Sequence, residues 1–352
     1  MRRSIGLGVV LAALAGPAAP AAQALTSPTA AQALTPPARS GAQALTPHVD
    51  VGIGDNNVDF LADARFLATG IKHVRLIVPY DIVRTRGWEL ARADEWLTRA
   101  RNLGLEPFVT FGHSDRRKQQ FKLPSVAQYA AGVRAFRDRY PWVREFGTWN
   151  EANLVSVQPT GRHPRRAAAY YRALRRQCAA AGCRVVAVEV LLTGAWRTWR
   201  WLRRFREHAG RGPHVFGLHN YPDATRLRFR NTQRFLRIVP RAEVWFTETG
   251  GVVRFKKRWP YNEGRAARAV RHVFRLAAIS PRITRVYLYN WRADGGHPRW
   301  DSGFISADGV ERRAFSELLA GLRLDRFRPL PVPVFPESPS VTPVPVAPAR
   351  ER

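Results

Sequence analysis

Phe146-Gly147-Thr148-Trp149-Asn150-Glu151 and Val244-Trp245-Phe246-Thr247-Glu248 are two apolar runs that each end in a glutamate. A carboxylate at the tip of a buried strand is costly unless something at that tip uses it. Outward from these runs, one unit repeats along the chain: a short apolar stretch, then a segment of helical periodicity. The strand candidates are Val49–Ile53, His73–Val78, Glu106–Phe111, Val143–Trp149, Arg184–Val190, Val215–Leu218, Glu243–Thr247 and Arg285–Asn290. Between them, spacings of three and four mark one buried stripe per helix, as in Trp96, Ala100 and Leu103 or Tyr129, Val133 and Phe136. The segment around Phe229–Ile238 carries the weakest stripe. Alternating strand and helix argues for parallel pairing with right-handed crossovers. Eight such pairs over residues 48–326 predict an α/β fold, a closed (β/α)8 TIM barrel in one domain, which usually takes about 250 residues. A doubly wound sheet would bring a glycine-rich phosphate loop after the first strand. Gly52-Ile53-Gly54-Asp55-Asn56-Asn57 lacks its third glycine.

Both ends of the chain read as extensions to the barrel. Arg2 and Arg3, the apolar run Ile5 to Ala15, and Ala22-Gln23-Ala24 have the order of an export signal over residues 1–24. An uncleaved amino-terminal anchor is the other reading. Residues 25–47 repeat Ala-Gln-Ala-Leu-Thr among prolines and read as a low-complexity linker. Residues 327–352 form a proline-rich tail of extended type. The expectation is a secreted, extracellular protein, associated with a cell wall if its charge serves that end.

That charge is +30, from 57 basic residues of which only five are lysine. So strong a bias reflects in part the mutational habit of a GC-rich genome. A solvated cationic surface is the plainer reading; attraction to an anionic wall polymer or acidic polysaccharide is the sharper one. No nucleic-acid partner is expected, because no reader module accompanies the charge. The two cysteines, Cys178 and Cys183, cannot build a tetrahedral zinc site without other ligands. Gly182 stands where a left-handed helix cap would sit, and a Schellman ending brings the residues on either side of such a cap together. A disulfide is then geometrically reasonable in an exported chain, with a reduced contact pair as the other reading.

Active sites of such barrels lie at the carboxyl ends of the strands. The polar and aromatic residues there are Arg75 on strand 2, His113 just past strand 3, Asn150 and Glu151 after strand 4, His219 and Tyr221 from strand 6, Glu248 from strand 7, and Trp291 from strand 8. Taken jointly, Trp-Asn-Glu-Ala-Asn, His-Asn-Tyr, Thr-Glu-Thr-Gly and Tyr-Asn-Trp resemble the clan A glycoside hydrolases, the cellulase-like group that includes families 5 and 39. The resemblance spans nearly the whole barrel. It implies that Glu151 is the general acid/base and Glu248 the nucleophile. It further implies that Asn150 binds a sugar 2-hydroxyl, Arg75 and Tyr221 support the charge of Glu248, His219 is the strand-6 histidine, and Trp291 floors the −1 subsite. Ala152 departs from the proline that many relatives carry after this glutamate. The 97 residues between the two glutamates equal three strand–helix units of roughly 30 residues.

The chemistry calls for two carboxyl groups because one must be protonated to donate to the leaving oxygen and the other ionised to attack the anomeric carbon. Two nearby carboxylates repel, so one keeps its proton. The resemblance implies retention of configuration. His113 reads equally as a substrate contact and as a loop histidine satisfied by Ser114 and Asp115. Tyr80, Trp259 and Trp300 are candidate platforms for outer sugars, Trp149 reads as core, and Asp294 and Asp301 as solvated. No cofactor or metal is expected. The leading expectation is a monomeric, retaining O-glycosidase acting on a polysaccharide or oligosaccharide. A non-catalytic glycan-binding barrel and a transglycosylase using the same glutamates are the alternatives.

Overall fold

Eight apolar runs pair edge to edge, all in parallel, and the last closes on the first. The computed structural model of the chain describes residues 49–322, except 212, 213, 257 and 297. The export signal, the linker and the proline-rich tail lie outside the described residues. The barrel strands are β1 (Asp50–Gly54), β2 (His73–Pro79), β3 (Glu106–Gly112), β4 (Glu145–Gly147), β5 (Arg184–Leu191), β6 (Val215–His219), β7 (Glu243–Thr249) and β9 (Ile283–Tyr289). β1 meets β9 from Asp50↔Arg285 to Gly54↔Tyr289, which shuts the cylinder. The predicted (β/α)8 barrel is therefore the observed one. β4 is shorter than its apolar run, although beyond Gly147 the Thr148 and Asn150 amides still bond the neighbouring strands at Val186 and Phe111.

The helices follow in the order α1 (Ala64–Ala68), α2 (Ile82–Thr85), α3 (Trp88–Asn102), α4 (Val126–Arg139), α5 (Pro164–Ala179), α6 (Trp196–Ala209), α7 (Tyr221–Thr225), α8 (Arg230–Ile238), α9 (Glu263–Ala277) and α10 (Arg313–Gly321). Each long helix buries the stripe its spacing predicts; α3 turns Ala93, Trp96, Leu97 and Ala100 inward. Ser125 and Gln128 close a reciprocal capping box on α4, satisfying two amides that have no helical partner. The weak stripe near Phe229 does form a helix, α8, held by Asp223, which accepts from the Thr232 amide at 2.7 Å.

The barrel is plugged. Phe108, Val186, Trp245 and Tyr287 meet inside it. The guanidinium of Arg75 lies 6.0 Å above the Phe108 ring, so a polar layer begins where the apolar plug ends. Register shifts fall between Gly217 and His219, and between Phe246 and Thr249. Such bulges re-aim side chains, and these lie where β6 and β7 deliver His219 and Glu248. One element lies outside the repeating pattern: β8 (Arg254–Phe255) pairs antiparallel with β10 (Trp300–Asp301), joining the loops after β7 and β9. Asp301, expected to be solvated, is buried in this ribbon and accepts two bonds from Arg312, at 2.7 and 2.9 Å. The ribbon removes it from water, and the guanidinium replaces that hydration.

Cys178 and Cys183 are joined, with Cα atoms 5.0 Å apart. Gly182 has φ +66°, and the Cys183 amide donates to the Cys178 carbonyl at 3.3 Å, which is the Schellman closure. The closed loop is short, so its contribution is about 2 kcal/mol in the chain-entropy account. Reduction of the purified protein is expected to lower its unfolding free energy by about that much, measured by denaturant titration with and without dithiothreitol, and to leave turnover unchanged.

Candidate active site

At the end of β4 the chain makes a tight turn pinned from both sides. The Asn150 amide donates to the Phe111 carbonyl at 2.8 Å, and the Ala152 amide to the Glu189 carbonyl at 3.0 Å. Asn153 bonds Leu191 twice, through its side-chain oxygen and nitrogen. These contacts hold Glu151 at φ +45°, a region that costs a non-glycine residue roughly 1–3 kcal/mol. The distortion aims its carboxylate into the barrel mouth.

There it meets five other ionisable side chains, all buried. Arg75 from β2 donates to Glu248 Oε2 at 2.9 Å, to Asn150 Oδ1 at 2.8 Å and to Glu189 Oε2 at 2.5 Å. Tyr221 donates to Glu248 Oε1 at 3.1 Å. The His219 ring lies between carboxylates, with Nδ1 3.1 Å from Glu151 Oε1 and Nε2 3.2 Å from Glu189 Oε2. Glu151, His219 and Glu248 each place one ligand-type atom within 4.8 Å of the others. Such a trio could hold a cation on donor type alone, but the Arg75 guanidinium already supplies the positive charge facing Glu248.

Charge settles the protonation. Three carboxylates face one guanidinium and one imidazole; a proton on the imidazole leaves the buried cluster with one net negative charge, and a second proton, on a carboxyl, makes it neutral. Burial pushes the Glu151 carboxyl up; the His219 bond and charge pull it down, Glu248 pushes it up again, and the net direction is upward. Burial alone would lower the His219 imidazole, but Glu248, Glu151 and Glu189 together raise it to about 9. Glu189 goes the other way. Burial pushes it up, yet the Arg75 charge and bonds from His219 and Thr110 leave it below the ordinary carboxylate range. The arrangement thus keeps a proton in the Glu151–His219 pair while Arg75 and Tyr221 both donate to Glu248.

Of the residues anticipated, Arg75, Asn150, Glu151, His219, Tyr221 and Glu248 come together. His113 is buried at the end of β3, where its Nδ1 lies 3.1 Å from the Ser114 carbonyl oxygen. Trp291 does not line the mouth. Its indole is 0% exposed, donates to Asp63 Oδ2 at 3.0 Å and packs edge-on against Phe66 and Phe315, behind the barrel. The strand ends at Tyr289, so strand alternation no longer governs position 291; Asp55 accepts the Trp291 amide at 3.0 Å and turns the chain outward. The aromatic residue of β9 that senses the site is Tyr289, whose phenol is pushed well above its usual value by burial and then by Glu248. Trp149 is core, donating to Gln158 and stacking on Tyr170. Tyr80 stacks on Trp149 and Tyr129. Trp300 meets Tyr221 edge-on with ring centres 4.8 Å apart, and Phe255 links Trp300 to Trp259. These rings form one wall beside Glu248.

The residue that sequence reading missed is Glu189. It lies inside the apolar run Arg184–Leu191, with both neighbours buried, and the oddity that exposed Glu151 and Glu248 was equally present there. Thr110 donates to its Oε1 at 2.6 Å. Space is reserved for it on both sides. A Cβ added at Gly217 would lie 2.5 Å from Glu189 Cγ, and one at Gly147 would collide with its Oε1.

No protein-family model and no curated protein matches the sequence. Solved structures do. A family 5 (GH5_18) structure from Streptomyces cattleya in complex with GlcNAc aligns with TM-score 0.57 and 15% identity, over 81% of this chain and 83% of that one. An endo-1,4-beta-xylanase from Caldicellulosiruptor owensensis aligns at 0.56 and 12%, over 78% and 97%. Xylanase 10B from Thermotoga maritima aligns at 0.54 and 10%, over 79% and 96%. At these identities the likeness is one of fold: the chain shares a closed barrel with these glycosidase structures.

Proposed function

We propose that this protein is a retaining O-glycoside hydrolase that acts outside the cell on an oligosaccharide or polysaccharide. One observation carries the reading: on β7 and just past β4, Glu248 and Glu151 bring carboxylate oxygens within 4.8 Å of each other inside one buried, charge-balanced cluster. Retaining enzymes hold these groups about 5–5.5 Å apart, whereas inverting enzymes need roughly 6.5–9.5 Å to admit a water. In the first step the Glu248 oxygen bonds to the anomeric carbon as the glycosidic C–O bond breaks, and Glu151 gives its proton to the departing oxygen. In the second, Glu151 takes a proton from water, the water oxygen bonds to the anomeric carbon, and the ester to Glu248 breaks. Arg75 and Tyr221, both bonded to Glu248, hold it aimed. The GlcNAc bound in the Streptomyces cattleya neighbour supports a carbohydrate substrate. Export rests on the amino-terminal sequence.

Proton NMR of the first-formed sugar, followed from a substrate of known anomeric configuration, tests the reading directly. Retention supports it; inversion ends it. Removal of the acid/base is the companion test. Glu151→Ala is expected to slow hydrolysis of natural linkages by about 10²–10⁴-fold. Aryl glycosides with good leaving groups should still glycosylate Glu248, and azide should restore turnover by capturing the intermediate. Equal losses on both substrate types, with no azide product, would remove Glu151 from that role.

A further inference from the structure

Three neighbouring helices carry thirteen arginines and one acidic residue. α5 has five arginines and no acid, α6 five and Glu207, and α8 three and no acid. α5 packs on α6 and α6 on α8, so they form one flank of the barrel. The other four long helices, α3, α4, α9 and α10, carry eleven arginines against six acids. A genome-wide preference for arginine raises its count everywhere. It does not strip acidic residues from three adjacent helices.

An ordinary solvated face interleaves both signs, as α3 does with Arg99 and Glu95 at 2.8 Å. On the basic flank, Arg204–Glu207 is the only ion pair that these arginines make among the described residues. Ten of the thirteen are exposed. Several are anchored through neutral carbonyls, Arg166 on Pro124 and Arg175 on Arg211, which orient the guanidinium and leave its charge uncompensated. One large apolar side chain stands exposed on these helices, Trp196, 61% accessible, with Arg197 and Arg200 each 5.7 Å from its ring. It opens α6 directly after β5, on the rim that bears the glutamates. A membrane-binding face would present a broad apolar stripe, and one tryptophan is not a stripe. Guanidinium forks match carboxylate and phosphate oxygens, and an exposed indole offers a platform for a sugar ring.

We propose that the α5–α6–α8 flank is a second binding surface, for a polyanionic glycan bearing carboxylates or phosphates at intervals, which it holds beside the site. The cutting of that polymer rests on the glycosidase reading; the binding does not.

Binding is measured on full-length Glu248→Gln protein, against polygalacturonate, phosphorylated dextran, neutral dextran and duplex DNA, from about 50 to 200 mM NaCl. The expected result is binding to one or both acidic glycans, falling linearly on a log–log salt plot, with none to neutral dextran. The two acidic arms tell a carboxylate from a phosphate source. Arg176→Gln, Arg200→Gln, Arg203→Gln and Arg237→Gln combined should weaken binding at least about tenfold, each lost contact reducing the salt slope. In the wild-type background the same four changes should leave turnover of a small aryl glycoside intact. Trp196→Ala should weaken binding to the acidic glycan and not to DNA. An equal loss from four substitutions on α3, α4 and α9 would overturn the proposal, since total charge would then be the cause. So would DNA binding as tight as glycan binding with no effect of Trp196→Ala. Acidic glycans binding to a wild-type protein that hydrolyses no glycoside would sink the glycosidase reading alone.

Discussion

Glu248→Gln is expected to lower kcat on the order of 10⁴-fold or more while the protein stays folded. Glutamine keeps an oxygen to accept from Arg75 at the position now 2.9 Å away, and its amide can donate to Tyr221 in place of the present bond. Packing is therefore almost unchanged. The loss is of the anionic oxygen that bonds to the anomeric carbon; an amide oxygen is neutral and a far weaker nucleophile. A purely structural Glu248, present to neutralise Arg75, predicts the opposite pattern: the thermal midpoint falls and turnover survives. Measuring kcat and the midpoint on one preparation separates the two. Turnover within tenfold of wild type would take the nucleophile's role away from Glu248.

Glu189→Leu should be the most destabilising single change at the site, by about 3–5 kcal/mol, because it removes one partner of a fully buried ion pair and leaves Arg75 under-compensated. Glu189→Gln is the gentler probe. It keeps one acceptor oxygen for Arg75, turns its amide nitrogen into a donor toward the Thr110 hydroxyl, and removes one of three negative charges around His219. The imidazole then drops from about 9. A histidine whose folded value lies above the unfolded 6.5 adds stability that is complete below 6.5 and disappears as pH rises through the folded value. In the variant that contribution should be smaller and its loss complete at a lower pH. The basic limb of kcat/KM should move the same way, since Glu151 shares its proton with that ring. Wild-type pH profiles of both stability and activity in Glu189→Gln would show that Glu189 holds Arg75 alone.

How far the sequence could be read depends on the range of the physics involved. Strand and helix periodicities are local, so the eight units and their order were legible, down to the weak α8. The acidic tips at Glu151 and Glu248 were legible because a charge at the end of an apolar run contradicts its surroundings. Glu189 makes the same contradiction inside its strand. It went unread because its partners, Arg75, Thr110 and His219, are 114, 79 and 30 residues away. Trp291 was misplaced for a related reason. Where a strand stops and the chain turns, alternation no longer says which side a residue faces, and Asp55, 236 residues earlier, decides it.

The chain's pattern alone specified a parallel barrel, its strand order, and two glutamates on one rim, because each follows from spacing between near neighbours and from the right-handed crossover. Closure of the cylinder supplied the rest: the Arg75–Glu189–His219 lattice, the left-handed turn that aims Glu151, the glycine gaps around Glu189, and a basic flank gathered from three helices. Those features join residues that the polymer keeps far apart. Their energies exist only at hydrogen-bond or Debye-length range, so they arise once folding has brought the groups within it.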